Sequence, residues 1–364
     1  MDGDNFTLCP VSEAYKRITF PLAYGLVFVF GLTLNGTVLW FVCGRTKTWS
    51  CSVIFLANLS VADLLYVLPL PLLAASYAMG DTWPFGNAAC KAAHFLFSLN
   101  LGGSVTFLAC ISVHRFLCAR HPAAATRCRA RRAATLTCAA VWLLVAVETA
   151  PTAIFAHSGF INNTTVCFDM TGPAGFSRYL PYGLFVTAVG FLLPLLVMVT
   201  CYCLTARTLC QAGGGVGGGA GQSAKAMRSI LALCLLGTLC FLPYHAMRVA
   251  YLLVRVHQPA NCRLLSLVML CYKIWRPVVS LNCCVNPALY WSCSSRQRRR
   301  LLARLRSRRV RPAARAARPQ GIMGKENGPT ELPGHHRGAL SQNAPGEKPE
   351  RGSEGKPEPD GHAR

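Results

Sequence analysis

Five ionisable side chains stand at helical spacing inside long apolar runs of this chain. His245 and Arg248 are three residues apart in CFLPYHAMRVAY, Lys273 and Arg276 are three apart in CYKIWRP, and His94 follows Cys90 by four. Residues three or four apart share a helix face, so each pair projects one way from its helix. Guanidinium forks match phosphate or carboxylate oxygens, and a lysine adds a point charge. Cations gathered in one cavity repel one another until an anion neutralises them. The chemistry expected of Arg248, Lys273 and Arg276 is therefore capture of a polyanion, with His94 and His245 beside it. Snorkelling to lipid headgroups competes as an account of Lys273. It suits Arg248 and Arg276 less well, because they lie a turn or more deeper.

A second polar set lies nearer mid-membrane: Asp63 in LANLSVADLL, Ser104, Asn282 and Asn286. One carboxylate among hydroxyl and amide oxygens suits a sodium ion or a proton. It equally suits a structural network with Asn35 and Asn58, and the two readings are compatible. Glu148 has no evident partner. No apolar run offers a nucleophile set or a His/Cys/Glu cluster with ligand spacing, so the expectation is a protein that is not an enzyme. No cofactor is expected, and no metal beyond that sodium.

The elements that position these residues follow from composition. Of 364 residues 52% are hydrophobic and only 14% charged, against about 25% charged in ordinary soluble domains. Seven runs reach the roughly 20 apolar residues that a membrane helix needs: about 19–43, 52–79, 90–118, 133–156, 179–206, 227–254 and 264–292. The predicted fold is all-α, a seven-helix membrane bundle. The two halves show no repeat that would indicate a transporter. Residues 1–18 form a polar N-terminal segment without a signal-peptide pattern, and residues 19–293 are the bundle.

Arg45, Lys47, Arg120, Arg127, Arg129, Arg131, Arg132, Arg207, Lys225 and Arg228 flank alternate runs, and eleven arginines lie between Arg296 and Arg318. With seven spans all of these fall on one side, which the positive-inside rule makes cytoplasmic. The N-terminus is then extracellular, as are the glycosylation sequons at Asn5, Asn162 and Asn163. A net charge of +23 also suits nucleic acid, but the apolar runs assign it to anionic membrane lipid, with no nucleic-acid partner. Leu301, Leu302 and Leu305 share a face within RQRRRLLARLRSRR, so residues 294–309 read as an amphipathic helix on the inner leaflet, beside a candidate palmitoylation site at Cys293. Residues 310–364, rich in Pro, Gly and charge, read as a disordered tail. The glycines from Gly213 to Gly221 lack the Lys-Ser/Thr of a phosphate loop and read as a linker. Of nineteen cysteines, only Cys9, Cys90, Cys167 and Cys262 fall in outer segments, and four cysteines allow three pairings.

Several landmarks then occur in one order: Asn35, Leu59 to Asp63, Cys90, Trp142, Pro194 with Tyr202, Cys240-Phe-Leu-Pro243 and Asn286-Pro-x-x-Tyr290. Over roughly residues 19–306 the chain resembles a class A (rhodopsin-like) G-protein-coupled receptor. His245-x-x-Arg248, Lys273-x-x-Arg276-Pro277, CISVHRF before His121-Pro122, and Trp83-Pro-Phe-Gly86 are similar to the metabotropic purine and pyrimidine nucleotide receptors within that class. The resemblance implies a plasma-membrane receptor for extracellular nucleotides of the UTP, ATP or UDP type. It implies disulfides Cys90–Cys167 and Cys9–Cys262, phosphates held by Arg248, Lys273 and Arg276, His245 deeper, and Phe97 against the ligand. Pro243 and Pro287 would hinge spans six and seven. Arg115, Tyr202, Asn286 and Tyr290 would carry the change to a heterotrimeric G protein, expected to be of the Gq/11 class acting through phospholipase C and calcium, with arrestin as a further partner. The runner-up ligands are dicarboxylates and acidic lipids. Ser280 stands where an opsin has its lysine, and Phe97 where an amine receptor has its aspartate. This chain departs from the nucleotide receptors at His94 and Ser98, where they usually carry arginine and tyrosine, and it has His114-Arg115-Phe116 in place of Asp-Arg-Tyr.

Overall fold

The computed structural model describes residues 15–45, 49–120, 128–161, 163–212 and 220–293. The expectations for Asn5, Cys9, Asn162, the helix at 294–309 and the tail at 310–364 lie outside them, as does the side chain of Tyr290. Seven helical segments among the described residues are long and apolar enough to cross a membrane: Lys16–Gly44, Cys51–Ala78, Gly86–Cys118, Ala130–Phe155, Pro173–Thr208, Thr238–His257 and Cys262–Leu289. They are numbered one to seven below. Their outer faces carry apolar side chains such as Trp40, Leu136, Leu143, Leu196 and Leu239, all exposed, which suits a hydrocarbon solvent. Their inner faces pack Val27, Val38, Leu70, Phe107 and Tyr272.

In spans two, four and five the irregular site falls at or just before a proline, which lacks an N–H and crowds the carbonyl four residues earlier. Span two is interrupted at Leu68–Pro69 and span four at Ala150–Pro151. In span five a π-turn at Ala188–Leu192 precedes Pro194, with the Leu193 N–H bonded to the Ala188 carbonyl. Span seven is interrupted at Leu281, between helices Cys262–Ser280 and Asn282–Cys293. Pro287 cannot donate to the Cys283 carbonyl, and the side-chain amide of Asn35 on span one takes its place at 2.8 Å. Asn58 does similar work between spans two and four, accepting from Trp142 Nε1 at 2.8 Å.

Between spans four and five the chain forms a β-hairpin that the helix-only expectation omits. Strands β1 (His157–Ile161) and β2 (Thr164–Phe168) pair antiparallel, His157 opposite Phe168 and Ile161 opposite Thr164. Asn163 enters the left-handed region at φ 62°, which asparagine tolerates better than most residues. The Cys90–Cys167 disulfide ties β2 to the start of span three, with Cα atoms 5.7 Å apart. The Trp83 N–H adds a hydrogen bond to the Thr165 carbonyl at 2.7 Å. Cys262 is also disulfide-bonded.

Replacing Asn35 by leucine leaves the Cys283 carbonyl without a donor in a buried seam, a loss of about 1–3 kcal/mol. The thermal unfolding midpoint of purified Asn35→Leu in detergent is expected to fall, whereas Thr33→Val, on the exposed face of the same helix, leaves it near wild type.

Candidate ligand-binding site

The hairpin end of the bundle gathers the predicted cations. Arg276 is 3% exposed and Arg248 6% exposed, so neither snorkels. A guanidinium at such depth is tolerable only with partners around it. Arg276 has them. Its Nη1 donates to Asp169 Oδ2 at 2.7 Å and its Nη2 to His94 Nδ1 at 2.9 Å. The guanidinium also lies over the Phe97 ring, 5.3 Å from its centroid. Tyr272 Oη donates to the same Asp169 oxygen at 2.9 Å.

Two consequences follow for neighbouring groups. Because Arg276 can only donate, His94 Nδ1 must accept, which puts the ring proton on Nε2, facing Cys167 Sγ at 3.2 Å. His94 therefore acts as a neutral spacer that orients Arg276, at the position where the nucleotide receptors usually carry a cationic arginine. For Asp169, burial alone would raise the carboxyl pKa, but the charges of Lys273 and Arg276 outweigh it and hold the group well below the usual carboxylate range. Lys273 is half-buried and acts on Asp169 electrostatically.

Arg248 differs. Its Nη2 donates to the neutral hydroxyl of Tyr179 at 2.6 Å, and no ion pair forms to it among the described residues. His245, one turn away, stacks on Phe191 with centroids 4.1 Å apart, and neither ring nitrogen has a hydrogen-bond partner among the described residues. The cavity bounded by Phe97, Asp169, Tyr244, His245, Arg248 and Arg276 measures about 20 Å³. That volume suits one water, far below the roughly 300 Å³ of a small-molecule site. Admission of a larger ligand requires the lining side chains to rearrange.

Asp169 is the residue that sequence reasoning missed. Its signal was present, since it lies two residues after Cys167, and that cysteine's bond to Cys90 hangs the acid over span seven. Ser98, noted as a departure, lines the same cavity. Cys90, His94 and Cys167 bring ligand atoms within 4.8 Å of one another, but both sulfurs are consumed by the disulfide, so the cluster is no metal site.

The second polar set is more complete than expected. Asp63 Oδ1 accepts from Asn100 at 2.8 Å and Oδ2 from Asn286 at 3.0 Å, while Asn100 also reaches Ser104 at 3.3 Å. Asn100, absent from the expected set, is thus its link between spans two and three. Asn282 is buried with neither side-chain atom hydrogen-bonded among the described residues. At the opposite end, His114 pairs with Ser52 at 3.2 Å, and the Tyr202 and Ser112 hydroxyls lie 2.7 Å apart. Arg115 Nε is buried there without a hydrogen-bond partner among the described residues. Pro243 and Pro287 both lie within helices.

Residues 34–290 match the profile of the 7 transmembrane receptor (rhodopsin family). The chain is 42% identical over 295 residues to purinoceptor 6 of Rattus norvegicus, covering 80% of this chain and 90% of the relative. It is 38% identical over 297 residues to purinoceptor 3 of Meleagris gallopavo, with 80% and 90% covered. It is also 38% identical over 319 residues to purinoceptor 4 of Rattus norvegicus, with 87% and 86% covered. The chain belongs to this purinoceptor family. It is accordingly a class A G-protein-coupled receptor of the plasma membrane, multi-pass, and not an enzyme.

The Asp169 contact carries a pH signature within this receptor. A carboxyl held below its ordinary value of 3.8 stabilises the fold above that pH and loses the contribution as pH falls toward the native value. Unfolding midpoints taken from pH 6 to pH 3 are expected to drop more steeply for wild type than for Asp169→Asn. Parallel curves would contradict the contact.

Proposed function

We propose that this receptor is activated by extracellular nucleotides, whose phosphate oxygens are held by Arg248, Arg276 and Lys273. The observation that carries the reading is the pair of buried guanidiniums, of which only Arg276 has a carboxylate at its side among the described residues. A polyphosphate displaces Asp169 from Arg276 and supplies Arg248 with the anion it lacks. A ligand shifts a conformational equilibrium only by its differential affinity for the two states, and here the difference arises from exchanging an internal anion for an external one. His245 and Phe97 contact the rest of the ligand, and His94 keeps Arg276 in position. The relatives described above are all named purinoceptors, which supports a nucleotide over a dicarboxylate or an acidic lipid.

The same reading puts the N-terminus and the hairpin outside the cell, with sugars on Asn5, Asn162 or Asn163 and a Cys9–Cys262 bridge at the mouth. Pro243 and Pro287 let the inner halves of spans six and seven move. Arg115, Tyr202, Asn286 and Tyr290 then help to form the surface for a Gq/11-class G protein and later arrestin, alongside the amphipathic helix at 294–309 and the tail at 310–364. Asp63, Ser104, Asn282 and Asn286 would hold a sodium ion or a proton.

The test is a dose series of uridine and adenine di- and triphosphates on cells expressing the receptor, with calcium and cyclic AMP read together. Arg276→Ala, matched for surface level, is expected to lose roughly 10- to 100-fold in potency, as removal of charge-assisted hydrogen bonds implies. An unchanged response would sink the phosphate role, and a cyclic AMP change without calcium would reject the Gq/11 assignment.

A further inference from the structure

Glu148 is a carboxyl in the membrane interior to which the reading above gives no task. It sits on span four, 8% exposed, and its Oε1 has no hydrogen-bond partner among the described residues. A carboxyl at this depth is costly unless something meets it. Helix packing does not meet it. Tyr182 donates to the Glu148 backbone carbonyl at 3.2 Å and pairs with Thr152 at 2.7 Å, which steadies the backbone and leaves the side chain untouched.

The surroundings are shaped to admit the group. Span five is irregular opposite it, with the π-turn at Ala188–Leu192, and Gly190 faces the carboxyl directly. A β-carbon at position 190 would collide with Glu148 Oε1. Glu148 lines the same cavity as His245, Arg248 and Arg276, within electrostatic reach of Arg248 but without an ion pair to it. Its other neighbours, Leu144, Leu193 and Val197, border a largely apolar cleft, where Thr106 donates to the Gly102 carbonyl and His114 pairs with Ser52. The cavity side, with His245, Arg248 and Arg276, is the more polar of the two.

We propose that Glu148 accepts a hydrogen bond from the nucleoside end of the ligand, an N–H of the base or an O–H of the ribose, and so fixes which way the nucleotide lies. The proposal rests on the nucleotide reading above. A carboxylate repels phosphate while Arg248, Arg276 and Lys273 attract it, so the phosphates lie along spans six and seven. The nucleoside points toward spans four and five. Glu148 thereby selects ligands that carry a donor at that end and rejects those that present only acceptors there.

The experiment compares wild type, Glu148→Leu, Glu148→Gln and Arg276→Ala at matched surface level. The probes are uridine 5′-diphosphate, its N3-methyl analogue, its 2′,3′-dideoxy analogue, and inorganic pyrophosphate as a competitor. Glu148→Leu is expected to weaken the parent nucleotide at least tenfold, and Glu148→Gln, which keeps an acceptor, to weaken it less. Competition by pyrophosphate is expected to be unchanged in both and lost in Arg276→Ala. One analogue should already be weak on wild type and indifferent to Glu148→Leu: the N3-methyl compound if the base donates, the dideoxy compound if the ribose does. A merely structural role would weaken pyrophosphate as well and would overturn the proposal, as would unchanged potency in the leucine variant. If that variant fails to reach the surface, a glutamine variant as sensitive to both analogues as wild type upholds a neutral acceptor, and one that weakens every probe alike overturns it. Full nucleotide response in Arg276→Ala together with loss in Glu148→Leu would overturn the phosphate reading and leave this one standing. A wild-type receptor silent to every nucleotide would overturn both.

Discussion

A buried guanidinium needs a counter-charge, and the hairpin end of this receptor is arranged around that need. Arg276 stands in the interior with Asp169 at 2.7 Å. Removing either partner would strand the other in a low-dielectric setting, where an unpaired charge costs far more than the pair returns. Much nearby structure serves to hold the acid in place. The Cys90–Cys167 bridge, the two-stranded hairpin and the Trp83–Thr165 hydrogen bond position the loop. Tyr272 and His94 then fix the two ends of the contact.

Away from that contact, the bundle is joined by buried polar groups, one of which makes good what a proline removes. Asn35 serves the carbonyl that Pro287 leaves without a donor, and Asn58 takes the indole N–H of Trp142. Each of these bonds crosses from one span to another and so links two helices. The Asp63 network extends the pattern, with Asn100 and Asn286 joining spans three and seven to span two. In hydrocarbon such bonds have no competition from water, which is why sparse amides suffice.

Much of this was legible in the chain itself. Apolar runs and loop cations are long-range averages that tolerate local error, so all seven spans were located from them. Arg248 and Arg276 were legible because a charge inside an apolar run is conspicuous. Asp169 was not, because an acid in a loop is ordinary until a disulfide carries it over a cation. His94 was read as a residue beside the cations, but that its Nδ1 accepts from Arg276 depends on which nitrogen faces the guanidinium, which residue type does not tell. The hairpin was missed for a similar reason, since two five-residue strands carry little signal beside seven long helices.

The tether on Asp169 has a consequence for what the receptor ignores. A carboxylate attached to the protein meets Arg276 at an effective concentration in the millimolar range or above, whatever the medium contains. Chloride, acetate and other small monoanions must compete with it one charge against one, and they gain nothing further by winning. A polyanion that reaches Arg248 in the same act brings a second attraction that the tethered acid cannot match. On the proposed reading, the internal contact would work as a valence filter, quiet in salt and responsive to molecules that concentrate several charges in a short length.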